Sequence, residues 1–378
     1  MMRIGIIGGG ASGVFLAKLL EKDKDEVVIF EKNNSLLKKV RMTGNGRGNV
    51  SNNNMDKHFY NHPDFCAPLI SKLNINQLSS KLNCLLKSDD EGRIYPYFEK
   101  TQIVVDGLSL DKTSVRLNTE VNNINIVGDK YFINNEEFDS VVIATGSEAP
   151  NGLFSDNNKK LIKALDHNIT NLYPSLSILF VNDNLKKISG KRVKGNISLI
   201  LNDEKYQTNG EILFKDDSLS GIAVFELSSI YARKCVKKEK FDKAYLELDL
   251  FSDIDEQDLF TLLLNRFKQS KEPLKGLFDQ EFIDYLKNKV DVKNIKNLSH
   301  YLKHMVFNIN LNKTANIYQV VSGGVDINEI NNDLSSKKHK GLYFMGEVLD
   351  IDGICGGYNL HFAFSSAYRV YNSLKGRK

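Results

Sequence analysis

Residues 3–31 read RIGIIGGGASGVFLAKLLEKDKDEVVIFE, and this stretch decides the fold. Arg3 to Ile7 is short and apolar, and Gly8-Gly9-Gly10 interrupts it. From Ala11 to Lys22 the apolar residues Val14, Leu16, Ala17, Leu19 and Leu20 recur with helical spacing. A second apolar run, Val27-Val28-Ile29-Phe30, ends on Glu31. Strand, glycine turn, helix and strand predict a βαβ unit, and such units build parallel sheets.

The glycines fall as Gly8-x-Gly10-x-x-Gly13, at the turn from strand into helix. Gly8 permits the tight turn, Gly10 lets backbone approach a pyrophosphate, and Gly13 lets the helix sit close on the strand. The helix N-terminus offers free N–H groups and a favourable dipole to phosphate. Glu31 stands where an acid accepts ribose hydroxyls, and its charge disfavours a 2′-phosphate. Dinucleotide binding is the expected function of this segment.

Further along, Ser140-Val141-Val142-Ile143-Ala144 reads as another parallel-type strand, halted by Thr145-Gly146. After about residue 170 the texture changes. Ser175 to Val181, Gly195 to Leu201 and Ala244 to Leu250 read as strands between polar turns, and Asp253 to Val306 reads as mostly helical. Sheet-like runs return at Ile317 to Val321 and Gly341 to Met345, and a last helix starts near Gly357. The expected fold class is α/β: a Rossmann-like dinucleotide-binding domain from 1–170 and 315–378. It is interrupted by a β-rich domain (171–252) and a helical domain (253–314).

At 378 residues the chain needs more than one core. Its net charge of +4 is too small to mark a nucleic-acid or acidic-membrane partner, so neither is expected. Four scattered cysteines without a C-x-x-C pair suit a reducing cytoplasm rather than a disulfide framework. MMRIGIIGGG lacks a signal-peptide pattern, and no run approaches the ~18 apolar residues of a membrane span. Cytoplasmic location is the expectation, with a small-molecule substrate as partner. Oligomeric state cannot be read from the sequence.

Three segments favour FAD over NAD. The loop Arg41-Met42-Thr43-Gly44-Asn45-Gly46-Arg47-Gly48-Asn49-Val50-Ser51-Asn52 combines backbone freedom with amide and guanidinium donors. Ala144-Thr145-Gly146 lets the chain pass close to a cofactor. Gly341 to Glu347 is a strand running into glycine and acid, followed by Asp352-Gly353 and by Gly356-Gly357-Tyr358-Asn359 at a helix start. That helix N-terminus would favour an anionic reduced ring.

Together these residues resemble the bacterial HI0933-like flavoproteins, also called YhiN or BaiN-like NAD(P)/FAD-dependent oxidoreductases. The resemblance rests on GGGASG (8–13), TGNGRGNVSN (43–52), VVIATG (141–146), YPSLSIL (173–179), GEILF (210–214), LSG (219–221), SGGV (322–325) and GLYFMGEVLDIDGICGGYNL (341–360). It implies a flavoprotein domain of the two-dinucleotide-binding type, interrupted by an inserted β-barrel and a helical part. It further implies that Gly8, Gly10, Ala11, Ser12 and Gly13 hold the pyrophosphate, with Glu31 and Lys32 at the adenosine ribose. Arg41, Gly44, Asn45, Gly46, Arg47 and Asn49 would line the flavin side, and Ala144, Thr145 and Gly146 the adenylate. Gly346, Glu347, Asp352, Gly357, Tyr358 and Asn359 would enclose the ribityl chain and isoalloxazine.

The chain departs from the family pattern at three places. Gly48 stands where the family usually has cysteine, so a thiol there is not essential. Lys215-Asp216 replace a Thr-His pair, which removes that histidine from the chemistry. Cys355 stands where threonine is common.

Flavin carries the redox chemistry, and the protein supplies position and electrostatics. The expected activity is that of an FAD-dependent oxidoreductase on a small organic substrate, with NAD(P)H as a transient electron donor. Only one complete glycine fingerprint is present, so a dedicated nicotinamide domain is not expected. The alternatives are a flavoprotein that binds RNA for nucleoside modification and a nonenzymatic flavin redox sensor. The catalytic candidates are Tyr358, Cys355 and His361, each with a packing role as its rival. His300 and His304 lie one helical turn apart, but the sequence shows no third ligand, and no metal is expected.

Overall fold

The structure is a computed structural model describing residues 1–376, the side chain of Asn45 excepted. The chain forms two compact units, Met1–Tyr173 with Val320–Lys378, and Pro174–Gln319.

The first unit is built on a five-stranded sheet, all parallel, in the order Leu342–Phe344, Ser140–Ile143, Arg3–Ile7, Glu26–Phe30, Ser114–Arg116. The strands read as continuous apolar runs because both faces are covered. On one face lie the helices Ala11–Leu20 and Tyr358–Gly376, with the Phe15 and Phe364 rings 4.9 Å apart. On the other lies an antiparallel meander of Asn125–Val127, Lys130–Ile133 and Glu136–Phe138. Gly5 admits this layer: a Cβ there would meet Ile133 Cδ1 at 3.0 Å and Phe138 Cδ1 at 3.3 Å. Ile4, Ile6, Val28, Ile29, Val142 and Phe344 are fully buried, each contributing about 1.5–3 kcal/mol of apolar burial.

From Arg3–Ile7 the chain goes outward to Glu26–Phe30 on one side, while Ser140–Ile143 and then Leu342–Phe344 add on the other. The strand order therefore reverses beside Arg3–Ile7, and in open α/β sheets ligands bind at the carboxyl ends flanking such a reversal. Gly8 and Ala144 mark that point. The outermost strand on this side comes from the far end of the chain.

The second unit carries a six-stranded antiparallel sheet in the order Leu179–Phe180, Ser218–Ser220, Glu204–Phe214, Arg192–Leu201, Ala244–Asp249, Met305–Asn308. Its two outer strands meet. Asn182 N donates to Asn308 O at 2.9 Å and Asn310 N to Phe180 O at 2.8 Å, which closes the sheet into a barrel. The helix Ile222–Val236 packs on it, where Gly210 leaves room for Ala223.

Three further helices follow, Glu256–Ser270, Gln280–Lys287 and Ile295–Lys303. They are N-capped by Asp255, Asp279 and Asn294, whose side chains accept from Asp258 N, Phe282 N and Asn297 N. The mostly helical reading of 253–306 needs one correction. Helix stops at Lys303, and Met305–Asn308 is a barrel strand alternating buried and exposed side chains. Four residues are too few for that alternation to be told from a helix end. The loop read over 41–52 also carries structure, a 3-10 turn at Val40–Gly46 and a strand at Ser51–Asn52 paired with Arg93–Ile94.

Candidate functional site: a dinucleotide cradle

Gly8 has φ +112°, and a Cβ on it would lie 2.4 Å from Ala144 O. Two strand ends thus meet backbone to backbone. A Cβ on Gly13 would lie 2.0 Å from Gly8 O, so only glycine lets the helix start here. Gly10 differs, with no atom within 4 Å of its Cβ position. It begins the helix Ala11–Leu20 without a side-chain cap, leaving the first-turn amides for an anion. Ser12 is buried beside Gly346, whose Cβ position lies 2.6 Å from Ser12 Oγ.

Glu31 is buried, and donors fix both of its oxygens. Gly9 N donates to Oε2 at 2.7 Å, while Asn33 N and Nδ2 donate to Oε1 at 2.8 and 2.5 Å. The acid at the strand end therefore also braces the glycine turn. Lys32 forms an ion pair with Glu148 at the rim. Asn158 holds the Ala144-Thr145-Gly146 stop, accepting from Thr145 Oγ1 at 2.9 Å and donating to Gly146 O at 3.3 Å.

The C-terminal segment folds onto this cradle. Gly346 has φ +71°, and its N donates to Ser366 Oγ at 3.0 Å. Glu347 accepts from Lys39 Nζ at 2.5 Å, from Ser147 Oγ at 2.8 Å and from Val321 N at 3.2 Å. It clamps three segments together. Gly357, with φ +99°, is pressed against the loop: its Cβ position lies 2.3 Å from Ser51 O and 2.6 Å from Asn49 Oδ1. Asn359 staples its own turn, accepting from Gly353 N and donating to Gly353 O, both at 2.8 Å. Asp352, buried, accepts at its carbonyl from Asn61 N at 3.2 Å and donates from its N to Asn61 Oδ1 at 3.1 Å.

In the loop, Arg47 is ion-paired with Glu99 and stacks over Tyr95 at 4.3 Å, and Arg41 donates to Gln102 Oε1 at 2.8 Å. Gly44 and Gly46 take positive φ, and the side chain of Asn45 lies outside those described. Asn49 is buried, and its Oδ1 has no partner among the described residues.

Two of the catalytic candidates are enclosed. His361 Nε2 donates to Ile70 O at 3.1 Å, so Nδ1 accepts from Ser51 Oγ at 2.8 Å, and burial pushes its pKa down. That ring is neutral and fully engaged. The Tyr358 hydroxyl donates to Asn54 O at 3.2 Å, and its ring packs on Phe59 and Tyr60. Cys355 is half-buried, in the loop before the last helix. Lys39, Ser147 and Asn61 carry no signal in the sequence, because no local pattern marks a side chain whose partner is a hundred or more residues away. Asn158, 12 and 13 residues from its partners, belongs to no recognisable motif.

An uncapped helix start, open space at Gly10 and the unsatisfied Asn49 Oδ1 fit a bound dinucleotide, and a Rossmann-type, FAD-dependent oxidoreductase is the class that this arrangement defines. The chain belongs to the HI0933-like family, whose Rossmann-domain model matches residues 2–372. It is 27% identical to the 3-dehydro-bile acid delta(4,6)-reductase of Clostridium scindens, across 97% of this chain and 98% of that one. It is 25% identical to the ribosomal RNA dihydrouridine synthase of Escherichia coli, across 99% and 98% of the two chains. Among solved structures it is similar to the 3-ketosteroid-delta4-(5alpha)-dehydrogenase of Rhodococcus jostii RHA1. That likeness has a TM-score of 0.48 and 11% identity, over 98% of this chain and 96% of that one. No helix among the described residues is long and apolar enough to cross a membrane.

Proposed function

We propose that this protein is a cytoplasmic FAD-dependent reductase of carbon–carbon double bonds conjugated to a carbonyl, acting on a small organic substrate with NAD(P)H as transient electron donor. One observation carries the reading. The chain aligns end to end with relatives named for a delta(4,6)-reductase of a 3-oxo steroid acid and for dihydrouridine synthesis. Both names describe saturation of a double bond conjugated to a carbonyl.

FAD, when bound, supplies the hydride chemistry. The protein's part is to hold and to polarise. Gly8, Gly10, Ala11, Ser12 and Gly13 are assigned to the pyrophosphate, and Glu31 to the adenosine ribose with Lys32 at its edge. Ala144, Thr145 and Gly146 flank the adenylate. Arg41, Gly44, Asn45, Gly46, Arg47 and Asn49 take one flavin edge. Gly346, Glu347, Asp352, Gly357, Tyr358 and Asn359 take the other, where the helix Tyr358–Gly376 presents its N-terminal dipole. His361 is assigned to packing, because its one N–H is already donated.

RNA is the second reading, favoured by the alignment with the dihydrouridine synthase. Against it, Lys191, Arg192 and Lys234 in the insertion are ion-paired to acids, and paired cations are poor phosphate ligands.

The test is anaerobic. Protein loaded with FAD is mixed with NADH or NADPH, then offered a 3-oxo-4,6-diene steroid or ribosomal RNA, and products are weighed by mass spectrometry. Gain of two hydrogens by the dienone supports the first reading, and gain by uridine the second. Reduced flavin that is reoxidised only by oxygen overturns both.

A further inference from the structure

His300 and His304 are one turn apart on the helix Ile295–Lys303 and its C-cap, and the sequence shows no third ligand near them. The fold supplies one. Glu256, in the first turn of the helix Glu256–Ser270, reaches both rings: Oε1 lies 3.1 Å from His300 Nδ1 and Oε2 lies 3.5 Å from His304 Nε2. The two imidazoles stand 4.7 Å apart, and the three ligand atoms all lie within 4.8 Å of one another.

The geometry points to a zinc site on the second unit, held by Glu256, His300 and His304. Two imidazole nitrogens and one carboxylate oxygen are the donor set that zinc takes when it keeps an open coordination position. Zinc–ligand bonds of 2.0–2.1 Å place tetrahedral ligands about 3.4 Å apart. The observed cluster needs only a small rotation of side chains to close to that spacing. All three side chains are free to rotate, being 40–64% exposed.

Two features make this more than a chance meeting. The backbone beneath the ligands is tied: Lys303 Nζ donates to Phe251 O at 2.9 Å and to Ile254 O at 2.6 Å, and it pairs with Asp249 at 2.8 Å. This fixes the end of the histidine helix against the turn that leads into Glu256. The second feature is outside the ligand set. Glu247 Oε2 lies 3.7 Å from His304 Nδ1, on the side of the ring away from Glu256. That is an ion-pair separation, and closing it to a hydrogen bond would give His304 the carboxylate that is the usual outer partner of a metal-bound histidine. A bound ion would pin the helices Glu256–Ser270 and Ile295–Lys303 together, and water would fill the open positions.

The test uses the full-length, metal-stripped protein and zinc chloride in a calorimeter. Expected is one-to-one zinc binding, at least tenfold weaker in Glu256→Gln and in His300→Ala. Magnesium should give no such binding, because hard cations prefer all-oxygen sites. Cobalt(II) substitution should give a nitrogen–oxygen ligand-field spectrum without a thiolate band, which separates this site from the cysteines. His300→Gln serves as a second variant if His300→Ala is poorly folded by circular dichroism. Zinc binding of equal strength in wild type and folded variants, a thiolate band, or no binding at millimolar zinc would overturn the site.

Discussion

Gly13 sits so close against Gly8 that a methyl group on it would stand 2.0 Å from the Gly8 carbonyl oxygen. No rotamer relieves such a clash, because both partners are backbone. Gly13→Ala must push the helix Ala11–Leu20 off the strand Arg3–Ile7 and move the first-turn amides that we assign to the phosphates. The expected result is protein that folds but purifies with little flavin, read as flavin absorbance per polypeptide.

Glu31 braces Gly9, and on the proposed reading it also accepts the ribose hydroxyls. Hydrogen bonds to a charged group contribute about 1.5–3 kcal/mol, and each 1.4 kcal/mol is tenfold in affinity. Glu31→Ala should therefore weaken FAD binding by about ten- to a hundredfold, with Glu31→Gln between it and wild type. Fluorescence titration of the metal- and flavin-free protein measures both. Equal affinity in all three would remove Glu31 from the site.

His361 and His167 are both buried with lowered pKa values, and burial is the leading cause for each. His167 donates from Nδ1 to Leu165 O at 2.5 Å and accepts at Nε2 from Ser336 Oγ at 3.0 Å. In the unfolded chain both rings take up a proton near pH 6.5, while the folded state resists it. Stability is thus fully present above about pH 6.5 and is lost as pH falls from there towards the folded values. Denaturation midpoints between pH 7.5 and 5 should decline, and His361→Asn should flatten that slope whatever its own cost at neutral pH.

Tyr358 and Cys355 each carry two rival roles, catalytic and packing. The buried Tyr358 hydroxyl is spent on Asn54 O, so Tyr358→Phe should lose about 1 kcal/mol of stability and keep flavin reduction intact. Cys355→Ser should likewise keep turnover with any donor and acceptor pair that wild type accepts. A collapse of the reductive half-reaction in either variant, with flavin still bound, would make that side chain catalytic.

The parts legible in sequence are those whose cause is local. The βαβ unit announces itself because a fully buried strand, a glycine turn and a helical stripe lie within 29 residues, Arg3 to Glu31. The C-terminal return was readable for the same reason, a strand and glycine turn at Gly341 to Asn359. The strand Met305–Asn308 was not, since only its pairing with Ala244–Asp249 makes it a strand. Nor was the Lys39–Glu347 clamp, whose partners lie 308 residues apart. The partners of Arg41 and Arg47 are of the same kind: Gln102 and Glu99 lie 61 and 52 residues further along the chain, and no local pattern marks them.

The place of Leu342–Phe344 at the sheet's edge also bears on how this protein is made. While a ribosome works from Ile143 towards that strand, Ser140–Ile143 has an open edge beside the apolar Val141, Val142 and Ile143. At 5–20 residues per second that interval lasts roughly 10–40 s. The barrel unit, contiguous in sequence, is complete before the cofactor unit has its last strand. Premature termination anywhere after the barrel would therefore release a polypeptide with one finished unit and one sticky, flavinless half, a natural substrate for chaperones or proteases.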